Sequence, residues 1–314
     1  MSCLYLPVLS AVGIYAATSC YLLSHPSILH KKKQLSFHCR HISHRGGCGE
    51  KIENTMEAFE HAVRSGTDML EMDVHLTGDG QVVVSHDENL QRQTGHHLNL
   101  RDLRFADLPL YKENLDVLFY PGHPSGGSDR RFVLLETVFV TFPMIPINLE
   151  IKVHNNRLIH TVSELVKKYH REDITVWATE SDRTMRECVS ENPRMPFSFS
   201  KKRVLLLLFF FYTGLLPFIP LPESCLEILM PSLLNRFYFP KNAFLTNSFV
   251  VSLINWLLMR KSLFKHLKDR GIQVYLWVVN DEADFRRGFG YEGVTGLMTD
   301  YPQKLRRYLD TNPR

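Results

Sequence analysis

Short apolar runs recur along the chain, and several of them end in a polar or charged residue. Two neighbouring runs, Asp68 to Val74 and Gln81 to Asp87, have the length and polarity of short buried strands. Between such runs the pattern changes, and Leu158 to Tyr169 repeats its apolar residues at helical spacing. Strands that alternate with helices predict an α/β fold, here a parallel TIM (β/α)8 barrel, which keeps its chemistry at the carboxyl ends of its strands. A chain of 314 residues fits one such barrel of about 250 residues with additions.

The apolar runs supply seven of the eight barrel strands and two candidates for the other. The seven are, in order, His41–His44, 68–75, 81–86, Ile145–Lys152, Ile174–Ala178, Val274–Val279 and Leu297–Thr299. Met195–Phe199 and Leu226–Met230 compete for the sixth position in the ring. Residues 54–66 predict the first helix, which ends at a glycine. Residues 96–130 have no regular period and contain two turn signals, so they predict a long loop over the barrel mouth.

The N-terminal run from Cys3 to Ser24 carries no charged side chain and is, at about 20 residues, long enough to cross a bilayer. No basic residue precedes it, which favours an uncleaved transmembrane anchor over residues 1–24 rather than a cleaved signal peptide. A basic linker, residues 25–38, follows with Lys31, Lys32 and Lys33, and residues 39–314 form the catalytic domain. The positive-inside rule would place that domain in the cytosol, but the side of the membrane stays open.

A second uncharged run, Val204 to Leu221, follows three basic residues and would pass for another membrane span by hydropathy alone. Predicted site residues lie on both sides of it in the chain, so a crossing would divide one barrel between two compartments. A glycine and two prolines within the run also disfavour a regular helix. We therefore expect a membrane-facing insert over about residues 201–223 that dips into one leaflet beside the barrel mouth. The alternative is a buried barrel helix, against which the unbroken run Val204–Phe211 argues.

Charge and cysteine content exclude several classes of partner and site. The formal net charge of +4 is too small to indicate a nucleic-acid partner. The six cysteines are scattered and include no Cys-x-x-Cys pair. Neither a zinc site nor a disulfide framework is therefore indicated, and we expect free or buried thiols.

Two carboxylates at the end of the second strand suggest a metal site. Glu71 and Asp73 are two residues apart, so their side chains leave the same face of the strand. Their negative charges repel each other unless a cation lies between them. Carboxylate oxygens suit one hard divalent ion, Ca²⁺ or Mg²⁺, and the sequence does not distinguish these two.

The polar strand ends, taken together, resemble the signature of the glycerophosphodiester phosphodiesterase family. The matching segments are His44-Arg45-Gly46, Glu71-Met72-Asp73, His86-Asp87, Glu150-Ile151-Lys152, Trp277-Val278-Val279-Asn280 and Thr299-Asp300-Tyr301-Pro302. Val278 stands where the family usually has a threonine. The resemblance extends from about His41 to Leu309 and implies a metal-dependent TIM-barrel hydrolase. The N-terminal run and the apolar insert resemble the membrane-bound mammalian branch of the family, whose members act as lysophospholipase D enzymes.

The resemblance implies a metal site with two proton-transferring histidines beside it. Glu71, Asp73 and Glu150 would hold the cation, and His86 would ligate it or only face it. His44 and His86 would act as base and acid, because a phosphodiester needs a base for the incoming oxygen and an acid for the leaving one. Which histidine starts as the base stays open.

The substrate contacts implied by the resemblance lie around these groups. Arg45 and Lys152 would bind the phosphate, and Arg45 offers the forked donor set that fits phosphate oxygens. Lys152 also stands two residues after Glu150, so it would at least neutralise that carboxylate. Trp277 would form an apolar wall over the substrate; a core aromatic is the alternative.

The expected activity is that of a metal-dependent phosphodiesterase acting on lysophospholipids. It would release the headgroup alcohol and lysophosphatidic acid through a cyclic phosphate, as the resemblance implies. One alternative is hydrolysis of water-soluble glycerophosphodiesters to glycerol 3-phosphate. An alternative of another class is a catalytically silent barrel that binds lipid headgroups. We expect membrane association, at the endoplasmic reticulum or another intracellular membrane, and no nucleic-acid partner.

Overall fold

Parallel strands alternate with helices, as the pattern of apolar runs predicts. The structure is a computed structural model that describes residues 5–234 and 247–313. Its helices and strands are α1 (Tyr5–Ser24), β1 (His41–Ser43), α2 (Met56–Arg64), β2 (Met69–Leu76), β3 (Val82–Val84), α3 (Gln91–Thr94), β4 (Leu115–Asp116), β5 (Pro124–Ser125), β6 (Val133–Leu134), α4 (Leu135–Thr141), β7 (Ile147–Ile151), α5 (Asn156–Lys168), β8 (Thr175–Ala178), α6 (Asp182–Glu191), α7 (Lys201–Tyr212), β9 (Cys225–Leu229), α8 (Ser248–Leu258), α9 (Lys261–Asp269), β10 (Gln273–Trp277), α10 (Glu282–Phe289), β11 (Gly296–Thr299) and α11 (Pro302–Thr311).

Seven parallel strands and one short bridging segment close the barrel. Around the ring, β1 pairs with β2, β2 with β7, and β7 with β8. Phe197 and Ser198 then bridge Trp177 on β8 to Cys225 on β9. The ring closes through β9, β10 and β11 back to β1, where His41 pairs with Leu297. The predicted (β/α)8 barrel is confirmed.

The third predicted strand, residues 81–86, is not a strand of the barrel. The end of β2 extends beyond the ring, and after a tight turn the chain returns as β3, antiparallel to β2 and paired in turn with β6. Apolar content alone does not distinguish such a hairpin from a barrel strand. The ring still has eight positions, because both candidates for the sixth strand belong to it. One forms the bridge at residues 197–198, and the other forms β9.

The helices cover the barrel with one apolar face each. In α5 the buried residues Leu158, Val162 and Val166 recur every four positions, which aligns them along one side. They join a core that contains Leu149 of β7 and Trp177 of β8. This outer layer fixes the strand positions, and the strands in turn fix the side chains at the barrel mouth.

The N-terminal anchor is not borne out. A helix does occupy Tyr5–Ser24, while residues 1–4 lie outside the described residues. Among the helices that the structure describes, none combines the length and the apolar character needed to cross a bilayer. Polar groups of α1 contact the body of the protein. Tyr15 and Ser19 donate hydrogen bonds to the carbonyls of Thr213 and Gly214, each at 2.6 Å.

The apolar insert joins two parts of one barrel and begins with a regular helix. Ser200 caps α7, and the helix stops at Tyr212, before Gly214, whose φ of +77° is left-handed. The expected interruption of the helix therefore occurs only after three turns. Leu207 is buried against the barrel, whereas Leu205 stays 68% exposed. The helix thus occupies the position of a barrel helix, as the alternative proposed, but presents an apolar face outward.

Candidate active site

Three carboxylates meet at the carboxyl ends of two adjacent barrel strands. Glu71 and Asp73 project from β2, and Glu150 projects from β7, where it pairs in register with Asp73. One oxygen of each lies within 4.8 Å of an oxygen of the others. Spacing along β2 places Glu71 and Asp73 on one face, and the pairing of β2 with β7 adds Glu150 to them.

Burial makes this cluster electrostatically costly. Burial and the charges of Asp73 and Glu150 raise the pKa of Glu71 well above its ordinary value. Burial and Asp73 likewise raise the pKa of Glu150. Burial would also raise the pKa of Asp73, but the Lys152 ammonium and the Arg45 guanidinium outweigh it and hold the pKa of that carboxyl low. Asp73 is therefore the carboxyl of the three that ionises most readily, and further positive charge nearby would favour the ionised forms of Glu71 and Glu150.

The cluster fits a divalent cation. The buried Asp73 carboxylate lies 3.0 Å from the Lys152 ammonium and 3.7 Å from the Arg45 guanidinium. These two cationic side chains stand against three clustered carboxylates, so a further cation would lower the cost of burying the cluster in its charged form. Three carboxylates offer the hard oxygen ligands that Ca²⁺ and Mg²⁺ take. The chemistry of the residues thus matches a divalent metal site but does not distinguish the two ions.

His44 lies beside the carboxylates, and a buried aspartate fixes its ring. Its Nδ1 lies 2.6 Å from Oδ1 of Asp300, and its Nε2 lies 3.9 Å from Oε2 of Glu71. The Asn280 amide donates to the other oxygen of Asp300 at 2.8 Å, and the Cys48 thiol donates to Oδ1, also at 2.8 Å. A proton on Nδ1 shared with Asp300 leaves Nε2 as the acceptor that faces the site.

A tight turn after β1 places His44 and Arg45. Arg45 has a left-handed backbone with φ of 50°, and its amide donates to Oε2 of Glu71 at 2.8 Å. Gly47 follows with φ of +91°, and a Cβ there would lie 2.6 Å from Pro302. Only glycine combines that conformation with so close an approach. The His-Arg-Gly-Gly sequence is therefore required by the turn as well as by the chemistry.

Arg45 is held in place by a buried carboxylate. Its guanidinium lies 3.3 Å from Glu53 and 3.7 Å from Asp73. Glu53 also pairs with Arg92 at 2.5 Å and accepts a hydrogen bond from the Gln93 amide. Burial would raise the pKa of Glu53, but Arg45 and Arg92 lower it to about 2. This geometry places Glu53 as a support for the Arg45 guanidinium.

Lys152 lies between two of the carboxylates. Its ammonium is 2.7 Å from Glu150 and 3.0 Å from Asp73. Burial would lower its pKa, but these two carboxylates outweigh burial and raise the pKa above its usual range. Lys152 thus neutralises Glu150, and because it also lines the cavity it remains in reach of a phosphate.

His86 also pairs with an aspartate, but it lies closer to solvent than His44 does. Its Nδ1 lies 2.5 Å from Oδ1 of Asp87, whose other oxygen pairs with Arg92 at 2.6 Å. The His86 side chain is 25% exposed, against 9% for His44. It lines the same cavity as the carboxylates but is not one of the three residues whose ligand atoms converge there.

Aromatic side chains close one side of the cavity. The Phe119 ring packs edge-on against the Trp277 ring at 6.1 Å and against the His44 ring at 5.6 Å. Phe119 comes from the segment predicted as a loop over the mouth. The resulting cavity has a volume of about 280 Å³. Its wall contains seven of the eight predicted site residues, namely His44, Arg45, Glu71, His86, Glu150, Lys152 and Trp277. Asp73 lies behind them, in contact with Lys152.

Other residues of the site have no role in the sequence-based prediction: Asp87, Arg92, Phe119, Asn280 and Asp300. Asn280 and Asp300 stand directly after apolar strand runs, so the rule that identified Glu71 would have found them too. Phe119 lies in an aperiodic segment, and no local pattern marks its position. Arg92 is identified only by its contacts in the structure, with Asp87 and with Glu53, which is 39 residues away in the chain.

Comparisons with known proteins place the chain among phosphodiesterases. Residues 44–202 match the sequence model described as the glycerophosphoryl diester phosphodiesterase family. The chain is 52% identical over 302 residues to the human protein named lysophospholipase D GDPD1, which covers 96% of each chain. It is 47% identical over 312 residues to human lysophospholipase D GDPD3, which covers 99% of this chain and 98% of the relative.

Solved structures resemble this fold at low sequence identity. A glycerophosphoryl diester phosphodiesterase from Silicibacter pomeroyi superposes with a TM-score of 0.64 at 20% identity, and the match covers 88% of this chain and 94% of that one. A phosphodiesterase from Oleispira antarctica, in complex with sn-glycerol-3-phosphate, superposes with a TM-score of 0.59 at 20% identity, and covers 87% and 97%. At that identity these matches support the fold alone.

Proposed function

The chain belongs to the glycerophosphoryl diester phosphodiesterase family, and on that premise we propose that it is a lysophospholipase D that converts lysophospholipids into lysophosphatidic acid and the headgroup alcohol. One observation carries the proposal. Two histidines, each held at Nδ1 by an aspartate, line one cavity with the carboxylates Glu71 and Glu150. A catalytically silent lipid-binding barrel would not need a pair of oriented proton carriers beside a metal site.

The two histidines divide the proton transfers of the first step between them. Burial lowers the pKa of His44 and so favours its neutral form, whose free Nε2 accepts the proton of the glycerol 2-hydroxyl. That oxygen attacks phosphorus, and a bond to the headgroup oxygen breaks on the opposite side. His86, which is closer to solvent, gives its proton to the leaving headgroup oxygen. A five-membered cyclic phosphate remains.

The second step opens the ring with the roles exchanged. His86, now neutral, takes a proton from water, and the water oxygen bonds to phosphorus. His44 returns its proton to the 2-oxygen as the ring bond breaks, which yields lysophosphatidic acid and restores both histidines. Arg45 and Lys152 bind the phosphoryl oxygens throughout. A divalent cation held by Glu71, Asp73 and Glu150 would acidify the attacking hydroxyl and offset charge on the phosphate; Ca²⁺ and Mg²⁺ both suit that set.

The test of this function uses substrates that differ at the glycerol 2-position. We expect turnover of lysophosphatidylcholine and almost none of diacyl phosphatidylcholine or of the 2-deoxy lyso analogue, because only the first offers a free hydroxyl in position to attack. Product mass spectrometry and phosphorus NMR report both the headgroup and any cyclic phosphate. Comparable turnover of the 2-deoxy analogue would mean that water attacks phosphorus directly. Preference for glycerophosphocholine over every lysophospholipid would favour the soluble-substrate alternative.

We further propose that the enzyme works at a membrane surface. Apolar side chains of α1, α7 and α8 face outward, among them Leu205 at 68%, Phe209 at 56% and Trp256 at 54% exposure. The Tyr212 ring of α7 stacks on the Trp256 ring of α8 at 5.9 Å. Tyr15 of α1 donates a hydrogen bond to the carbonyl of Thr213, the residue that directly follows α7. We call these outward-facing side chains the three-helix surface.

Two features of the three-helix surface suit a lipid bilayer. Tyrosine and tryptophan favour the interface between lipid and water, and Arg260, which lies over the Trp256 ring at 5.0 Å, matches anionic lipid headgroups. Lys201 and Val204 at the start of α7 also line the active-site cavity. A lysophospholipid resting in the bilayer would therefore have a short route to the site. The location at the endoplasmic reticulum or another intracellular membrane stays a prediction.

Vesicle flotation tests the membrane proposal. The double variant Leu205→Asn/Phe209→Asn should bind anionic vesicles more weakly and lose turnover of vesicle-borne lysophosphatidylcholine, while its rate on glycerophosphocholine stays the same. Met144→Asn is the matched control, because Met144 is 80% exposed and lies before β7, at the amino end of that barrel strand, away from the mouth. Equal vesicle binding by wild type and the double variant would rule out the three-helix surface.

A further inference from the structure

The cavity contains a second polar pair that the proton transfers do not use. Asn148 projects from β7 two residues before Glu150, on the same face of the strand, and Glu227 projects from β9. The Asn148 amide donates to Oε2 of Glu227 at 3.2 Å. Both residues line the active-site cavity. Because Asn148 pairs in register with Glu71, the pair borders the carboxylate cluster on its inner side.

Each member of this pair keeps one acceptor without a donor. Oδ1 of Asn148 and Oε1 of Glu227 are buried and accept no hydrogen bond among the described residues. Asn148 is only 2% exposed. Buried acceptors are nearly always bonded, because leaving one unpaired costs about as much as losing a hydrogen bond. Two such atoms on adjacent side chains at the wall of one cavity indicate a ligand that brings donors.

The shape of the substrate decides which end can supply them. A lysophospholipid has one long acyl chain, which must leave through the barrel mouth, and one small polar headgroup, which can enter the closed interior. Arg45, Lys152 and the Asn148–Glu227 pair line one cavity, so a headgroup on a phosphate bound by Arg45 and Lys152 lies in reach of the pair while its oxygen faces His86. Phosphate itself offers acceptors only, so the donors must come from the headgroup.

We propose that Asn148 and Glu227 form a headgroup subsite that accepts hydrogen bonds from an ammonium or hydroxyl group, and so favours ethanolamine over choline lysophospholipids. The inference rests on the proposed function. An ethanolamine ammonium carries three N–H donors, and its positive charge favours the ionised form of Glu227, whose pKa burial raises to about 7. A choline headgroup has the same charge but no N–H or O–H group. A glycerol headgroup has donors but no charge, which separates the contribution of hydrogen bonding from that of charge.

The experiment compares kcat/KM on lysophosphatidylethanolamine, lysophosphatidylglycerol and lysophosphatidylcholine with a common acyl chain. Wild type should prefer ethanolamine to choline by about tenfold, the typical value of one hydrogen bond to a charged group. Glu227→Gln should remove most of that preference, because it should lower the rate on the ethanolamine substrate more than the rate on the choline substrate. Glu180→Gln is the matched control, because Glu180 lines the same cavity but is exposed and ion-paired with Lys201. This control should keep the ethanolamine preference.

The outcomes separate this inference from the proposed function. Equal wild-type rates on all three headgroups, or an equal loss on all three in Glu227→Gln, would overturn the subsite. If Glu227→Gln loses all activity, Asn148→Ala provides the same comparison, since it removes one acceptor and keeps the carboxylate. If wild type turns over no lysophospholipid, the proposed function fails. The subsite is then tested by comparing kcat/KM on glycerophosphoethanolamine and on glycerophosphocholine, which carry the same headgroups without the acyl chain.

Discussion

Each histidine of the site has an aspartate at Nδ1, but one of these pairs is buried and the other is partly exposed to solvent. Asp300 fixes the inner one, His44, and this aspartate is itself fully buried and held by Asn280 and Cys48. Asp87, which is partly exposed, fixes the outer one, His86, and Arg92 is its further partner. Both rings are bonded through Nδ1.

The difference assigns a role to each pair. In the inner pair the dielectric is low, so each contact to Asp300 affects the ring strongly and no water can replace a lost partner. In the outer pair water can substitute for a missing carboxylate and can exchange protons with the ring. We therefore expect the inner pair to act by orienting its ring and the outer pair by exchanging protons with solvent.

The largest effect should come from the carboxylate cluster beside the inner pair. Asp73→Asn keeps the size of the side chain but removes the carboxylate of the cluster whose pKa is held low, and we expect kcat/KM to fall by about a thousandfold or more. Calorimetry should show the loss of most divalent-cation binding. Glu191→Gln is a suitable control, because Glu191 belongs to a similar cluster, with His160 and Glu164, on the surface. Near-normal activity of Asp73→Asn at saturating metal would remove the metal-site hypothesis.

Asp300→Asn tests the inner pair directly. The neutral amide can present its N–H group to His44 Nδ1 and so favour the wrong tautomer, and we expect kcat to fall about a hundredfold or more with KM little changed. Cys48→Ala is the matched control, since Cys48 touches the same oxygen of Asp300 but its nearest approach to the ring is 4.0 Å. A tenfold loss or less in Asp300→Asn would mean that the turn after β1, rather than Asp300, sets the orientation of His44.

Glu53 connects the two pairs, because it bonds to Arg45 beside the inner one and to Arg92 beside the outer one. Its pKa falls from 4.5 to about 2 on folding. A lowered folded-state pKa adds stability that is fully present above about pH 4.5 and is lost as the pH falls toward 2. The shift corresponds to about 3 kcal/mol at neutral pH. Glu53→Gln should lose stability of that order at pH 7 and show a flatter acid-unfolding curve, both measured by urea titration. An unchanged unfolding free energy would contradict this account.

The sequence predicts those site residues whose positions follow from a single strand or from the pairing of two neighbouring strands. Glu71 and Asp73 share a strand face, and strand pairing brings Glu150 to them, so local spacing was sufficient. The inner support, Asp300, comes from the other end of the chain and reaches His44 only because β11 closes the ring against β1. No local pattern encodes that contact. No local pattern encodes the contact of Glu227 with Asn148 either. It depends on the two-residue bridge at 197–198, which joins β8 to β9 in the ring.

The smallest effect should come from the outer pair, and it is the sharpest test of the comparison. Asp87→Asn removes a carboxylate that lies 2.5 Å from His86, a contact as short as the one that holds His44. If distance alone set the value of such a pair, Asp87→Asn and Asp300→Asn would be equally harmful. Because solvent reaches the outer pair and Arg92 keeps its bonds to Glu53, we expect only about a threefold to tenfold loss of kcat, with little change in KM. A loss as large as that of Asp300→Asn would mean that burial does not separate the two histidines, and the inner and outer roles would have to be assigned on other grounds.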